Sequence, residues 1–120
     1  MQQNLFLHLT TKQAWESALA FSSYEVSTNG KTLAEVGFIH GSFADQLQEV
    51  AGFVFAGSTE DLVVLHLDTE NLEANGIPVR VEEASNGQKY PHIYGAIPCN
   101  LVDQVVPAHM NIEGRLTLEA

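Results

Sequence analysis

Three short segments carry the residue types best suited to chemistry in this chain of 120 residues. They are Phe6-Leu7-His8-Leu9-Thr10, Gly37-Phe38-Ile39-His40-Gly41-Ser42 and Pro91-His92-Ile93-Tyr94-Gly95. Each sets one histidine among apolar residues beside a hydroxylic or small one. An imidazole that titrates near neutrality can move a proton, donate a hydrogen bond or ligate a metal. A strand that ends at His40-Gly41-Ser42 and opens a helix at Ser42 would also offer backbone N–H groups to one phosphate or carboxylate. His92 and Tyr94 lie two apart, so on a strand they share a face. The expectation is one pocket lined by His8, Thr10, Phe38, His40, Ser42, His92 and Tyr94. The competing structural readings are a buried His40 tied to a neighbouring carbonyl, with Ser42 only a cap, and an edge-strand His92–Tyr94 packing pair.

Several other chemistries are disfavoured. His8, His40 and His92 together could hold zinc, but no Cys-x-x-Cys, His-Glu-x-x-His or close carboxylate–histidine pair accompanies them, so no metal site is assigned. Cys99 is the sole cysteine; it follows a proline with no basic neighbour, which suits an inert buried thiol better than a nucleophile. Ser42 stands outside any Gly-x-Ser-x-Gly elbow. His66 reads as a core histidine, His109 as exposed, and Trp15 as helix core or a ring for stacking.

Charge narrows the partners. The net charge of −10, with only five Lys and Arg, would repel a nucleic-acid backbone or an anionic membrane and leaves a small molecule as the expected ligand. No apolar run nears the roughly 18 residues of a membrane span. The single cysteine and a start, Met1-Gln2-Gln3-Asn4, without a basic, apolar leader point to the cytoplasm. No spacing demands an oligomer.

The elements that must position these residues follow from periodicity. Leu5–Leu9 reads as a buried strand, and Thr10 or Thr11 caps a helix to about Phe21, its apolar face made by Ala14, Trp15, Ala18 and Leu19. Ser27–Glu35 is the most loop-like stretch and a candidate lid. Val36–His40 is the next strand, and Ser42 with Asp45 is expected to cap a helix over 43–55. The nearly unbroken run from Asp61 to Asp68 implies a strand buried on both faces. A short helix to Ala74 follows. Pro78–Glu83 and Tyr90–Tyr94 are expected to pair through a turn at Ser85-Asn86-Gly87, and Leu101–Val106 is the last strand. Residues 1–110 are expected to form one domain, with 111–120 a peripheral tail that frays from Leu116 to Ala120. The class is α+β, with a strongly bent antiparallel sheet and short helices.

The combined pattern resembles a family known as domain of unknown function 952. The residues that carry it are Leu5-Phe6-x-His8-x-Thr10 with Trp15, Gly37-Phe38-Ile39-His40-x-Ser42, Asp61-Leu62-Val63-x-Leu65-x-Leu67-Asp68 and Pro91-His92-Ile93-Tyr94-Gly95-x-Ile97-Pro98. The resemblance runs from Leu5 to Val106 and implies an ADP-ribosyltransferase-like fold with a split sheet. A more distant similarity, in the same chain order, is to the catalytic lobe of NAD-using RNA 2'-phosphotransferases. It implies NAD or a related nucleotide as ligand, with His8 and Thr10 along the nicotinamide and ribose, Ser42 at a phosphate, Phe38 or Tyr94 against a ring, and His40 or His92 moving a proton. Toxin-like ADP-ribosyltransferases add a late glutamate, for which Glu82 and Glu83 are both candidates. The chain departs from the phosphotransferases in having no arginine before Arg80 and Leu9 where they have glycine. A non-catalytic module that binds a small metabolite is the alternative on the same fold.

Overall fold

The computed structural model describes residues 5–119; the leader-free start expected at Met1–Asn4 and the final Ala120 lie outside them. In chain order the elements are β1 (Leu5–Thr11), α1 (Lys12–Phe21), β2 (Ser23–Tyr24), β3 (Val26–Thr28), β4 (Lys31–Thr32), α2 (Leu33–Val36) and β5 (Ile39–His40). A 3₁₀ turn (Ala44–Gln46) leads into α3 (Leu47–Val54), followed by β6 (Leu62–Asp68), α4 (Thr69–Ala74), β7 (Val79–Glu83) and β8 (Lys89–Ile93). The chain closes with β9 (Ile97–Pro98), a 3₁₀ turn (Cys99–Leu101), β10 (Gln104–Met110) and β11 (Leu116–Leu118). The fold is a mixed α+β one with antiparallel sheets and short helices.

Two sheets dominate. One has the order β1-β6-β10-β11 and the other β5-β8-β7, both antiparallel. The strand at 62–68 is continuous in apolar residues because both of its faces are covered. Val63, Leu65 and Leu67 join Phe6, Trp15, Ala18 and Leu72 in one core cluster, whereas Leu62 and Val64 join Leu7, Leu9, Leu47 and Ala51 in another. Alternation along β1 therefore turns Phe6, His8 and Thr10 towards the α1 side and Leu7 and Leu9 towards α3. Thr11 caps α1 by accepting from the Ala14 N–H at 3.0 Å, and Asp68 caps α4 by accepting from the Asn71 N–H at 3.1 Å.

The two sheets share a core and are joined by backbone hydrogen bonds at Leu7–Ser42. Ser42 and Leu7 exchange both backbone hydrogen bonds at 2.8 Å, and the Gly41 N–H donates to the Pro91 carbonyl at 2.9 Å. Ser42 is thus extended backbone that stitches β1 to the end of β5, and its expected role as a helix cap is overturned. The Phe43 N–H is capped instead by the Gln46 side chain at 3.0 Å, and the helix proper begins at Leu47. Peptide groups already paired across strands cannot serve a helix start as well, which is why helix 43–55 shortens to 47–54.

Three further expectations change. Ser27–Glu35 is more ordered than a loop: it holds the end of the β3–β4 hairpin plus α2, whose Thr32 and Glu35 form a reciprocal capping box, and its Ser27 and Thr28 line the cavity described below. Ser27 is fully buried and donates its hydroxyl to the Phe38 carbonyl at 2.5 Å. The last-strand expectation at 101–106 moves to 104–110, and Pro107 lies inside it. The Pro107 carbonyl accepts from Glu119 N–H, so the missing proline donor faces the short outer strand and β6 loses nothing. The supposed peripheral tail supplies β11, with Leu116 buried against α3 and hydrogen-bonded by Gln48 on both its N–H and its carbonyl. On α1, Trp15 and Ala18 are buried, but Leu19 and Phe21 face solvent.

Candidate functional site

The split between the sheets opens a cavity of about 630 Å³. Its floor is made by His8 and Leu9 of β1 and by Gly41 and Ser42; Phe38, His40 and His92 form one wall. Val50, Phe53 and Val54 of α3 form the opposite wall, and the β7–β8 turn, from Glu83 to Asn86, frames the mouth. A glutamine latch ties those last two sides together. Gln46 Nε2 donates to the Lys89 carbonyl at 2.8 Å, and Gln88 Nε2 donates to Glu49 Oε1 at 2.5 Å.

Of the seven residues expected in one pocket, five line this cavity: His8, Phe38, His40, Ser42 and His92. Thr10 does not. It is buried on the α1 side of the sheet, one full strand repeat away from His8. Nor does Tyr94, whose ring lies 5.5 Å from that of Phe38 and whose hydroxyl is on Glu82.

His8 is the most constrained of the histidines. It is buried, and its two ring nitrogens meet the His40 carbonyl at 2.5 Å (Nδ1) and the Tyr24 hydroxyl at 2.7 Å (Nε2). A carbonyl can only accept, so Nδ1 carries the proton and Nε2 accepts from Tyr24. Burial lowers its pKa to about 4, against the raising effect of the His40 carbonyl. The Tyr24 hydroxyl is pushed up by its own burial and stays protonated. With both nitrogens spent, His8 is a neutral tie between β1 and β5. The structural role envisaged for His40, holding a neighbouring carbonyl, is filled by His8 acting on His40. The same engagement removes His8 from a three-histidine metal site, and the described residues contain no group of three or more His, Cys, Asp or Glu placed to hold a metal ion.

His92 is held differently. Its Nδ1 donates to Glu82 Oε1 at 2.7 Å, and the Tyr94 hydroxyl donates to the same oxygen at 2.5 Å. Those two bonds, Tyr94's first, hold the Glu82 carboxyl below its usual range, and the Tyr94 phenol is correspondingly raised by Glu82. Arg80 lies over the Tyr94 ring at 5.8 Å. An ionised Glu82 can only accept, so it selects the Nδ1–H form of neutral His92 and leaves Nε2 as the unshared lone pair. Among the described residues, Nε2 has no hydrogen-bond partner, and no fully buried side-chain nitrogen or oxygen lacks one, so Nε2 keeps accessible surface on a residue that lines the cavity. The Phe38 ring stacks on His92 with centroids 4.0 Å apart and the planes 21° from parallel, fixing the plane in which Nε2 points.

His40 completes the wall. Its ring is exposed, with its centroid 4.8 Å from Phe38 and 5.5 Å from His92. Partial burial lowers its pKa, with a smaller contribution from His92, so it favours the neutral form. The late carboxylate resolves into two roles: Glu82 orients His92, and Glu83 lines the cavity mouth. The α3 wall was not anticipated as part of a site. The clue was an apolar surface on that helix wider than one core needs, for Phe53 remains 65% exposed beside buried Ala51. Cys99 lies elsewhere, half-buried with Sγ 3.5 Å from the Ala18 carbonyl, and its thiol is raised by burial. Among the described residues no helix is long and apolar enough to cross a membrane.

Residues 9–105 match the family described as "Protein of unknown function (DUF952)". The chain belongs to the DUF952 family. Its fold is shared with protein CC0527 from Caulobacter crescentus, a structural genomics target, at 26% sequence identity. The crystal structure of that protein gives a TM-score of 0.79 over 94% of this chain and 93% of its own. Its solution NMR structure gives 0.74 over 94% and 91%. No curated protein matches the chain. The family match spans His40, Glu82 and His92 and stops one residue short of His8.

Proposed function

We propose that this DUF952 protein binds a small ring-bearing molecule in the cavity between its sheets and uses His92 as the group that moves a proton to or from it. The observation that carries this reading is the Glu82–His92 pair. A carboxylate on Nδ1, an aromatic ring stacked on the imidazole and an unpaired, accessible Nε2 on a cavity-lining residue are what a general acid–base requires. A histidine that served only packing would have no need of a ring nitrogen left unpaired and accessible.

The specific form to test first is glycosyl transfer from NAD on an ADP-ribosyltransferase-like fold. The order of the His8, His40 and His92 segments and the split sheet support it. The nicotinamide–ribose end is the part of NAD that the cavity suits. The pyrophosphate would lie outside, since no lysine or arginine among the described residues lines the cavity and the Ser42 N–H is taken by the Leu7 carbonyl. With Thr10 and Tyr94 away from the cavity, ring stacking falls to Phe38 and Phe53. A non-catalytic metabolite-binding module is the second reading, and the fixed, neutral state of His8 favours it.

Nicotinamide release from NAD, followed by chromatography, separates the two. Turnover that falls at least 100-fold in His92→Gln, with unchanged melting temperature, is the expected result of the catalytic reading. Saturable ligand binding without turnover in the parent protein would leave only the binding module. If NAD, ADP-ribose and nucleosides all leave the melting temperature unmoved, the ligand class is wrong, since specific binding to the folded state must stabilise it. His40→Ala is expected to weaken ligand binding with little change in stability, because its ring is exposed.

A further inference from the structure

We propose that the cavity selects a small organic cation with an apolar or aromatic body, Glu83 supplying the counter-charge at the mouth. The inference builds on the ligand-site reading above and adds the charge of what enters.

Glu83 is the one carboxylate, and the one formally charged residue, among the described residues that line the cavity. Several of the donors along the cavity are already occupied. The Gly41 N–H is bonded to the Pro91 carbonyl, the Ser42 N–H to the Leu7 carbonyl, the Ser27 hydroxyl to the Phe38 carbonyl and the His8 Nδ1–H to the His40 carbonyl. α3 offers no substitute, because neither Gln46 nor Leu47 at its start reaches the lining. What remains open is neutral hydroxyls, the His40 ring and two acceptors, the Glu83 carboxylate and His92 Nε2 when that ring is neutral, with no cationic side chain among the described lining residues. Phe38, Phe53, Phe55 and Tyr90 add ring surface, which attracts a desolvated cation and repels an anion. Lys89 stands opposite Glu83 across the hairpin, yet no ion pair within 4 Å joins them among the described residues. Over longer range the net charge of −10 draws cations and disfavours phosphate-bearing ligands.

The test is a titration of the whole chain, followed by two-dimensional NMR, with three probes of one shape class: benzyltrimethylammonium, benzyl alcohol and benzoate. The ammonium is expected to bind about fivefold or more tightly than the alcohol, the scale of one favourable charge contact near a surface, with benzoate weakest. Its advantage should shrink in high salt and vanish in Glu83→Gln. Equal binding of alcohol and ammonium, with shifts at Phe38 and His92, would overturn the charge selection and leave the ligand site standing. An ammonium advantage that survives Glu83→Gln would overturn the role of Glu83. No binding by any probe would overturn both the charge selection and the ligand site.

Discussion

Replacing His8 by alanine is expected to cost about 3–4 kcal/mol, enough to lower the melting temperature by roughly 10–15 °C. Three losses combine. The His40 carbonyl loses its donor, the Tyr24 hydroxyl loses its acceptor, and a buried ring leaves a void between β1 and β5. A second signature accompanies the first. The folded-state pKa of about 4 lies below the usual 6.5 because burial disfavours the imidazolium. Between those values the unfolded chain binds a proton that the folded chain refuses. Stability is therefore full above pH 6.5 and falls as pH drops towards 4, by about 3 kcal/mol. Urea denaturation at pH 7.5 and pH 4.5 reads both effects. His8→Ala should start lower and lose this pH-dependent component. A loss under 1 kcal/mol with the pH slope intact would contradict the structural role given to His8.

Gly41→Ala is expected to destabilise by about 2–3 kcal/mol through overpacking. A methyl group at that position would stand 2.9 Å from the Pro91 carbonyl oxygen, 3.0 Å from the Phe6 ring and 3.1 Å from Pro91 Cγ. Backbone, ring and proline all resist movement, so the strain falls on the junction that joins the two sheets and shapes the cavity floor. Gly52→Ala is the matched control. Gly52 lies within α3 with nothing within 4 Å of a Cβ, so the change should stabilise by up to about 1 kcal/mol. Denaturation midpoints of opposite sign are the expected outcome. A Gly41→Ala protein as stable as the parent would mean that the sheets can part without loss.

The long-range architecture was legible where one physical signal dominated. The unbroken run at 62–68 could only be a strand covered on both faces, and Asp68 to Gly76 carried its own cap and stop. The turn at 85–87 and the alternating strand before it read directly as a hairpin. The failures share a cause. Ser42 has the residue type and the following acid of a helix cap, but its backbone is claimed by Leu7, thirty-five residues away, and no local pattern records that. Leu116 looked frayed because the partner that buries it, α3, is still more distant in sequence. Within the site, the three histidines were found from their segments, and their division of labour was not. One is neutral and fully bonded, one is oriented by a carboxylate and one stands open. Those differences come from Tyr24, Glu82 and Phe38, which side-chain packing brings to the rings.

The central claim is that Glu82 keys His92 so that Nε2 faces the ligand. Nitrogen-15 NMR of the histidine rings tests it most directly, with a cavity-binding probe added stepwise. The expected spectrum of neutral His92 shows a protonated Nδ1 and an unprotonated Nε2, with the Nε2 signal moving as the probe saturates and the pattern lost in Glu82→Gln. An Nε2–H form of His92, or an Nε2 signal indifferent to a probe that fills the cavity, would contradict it.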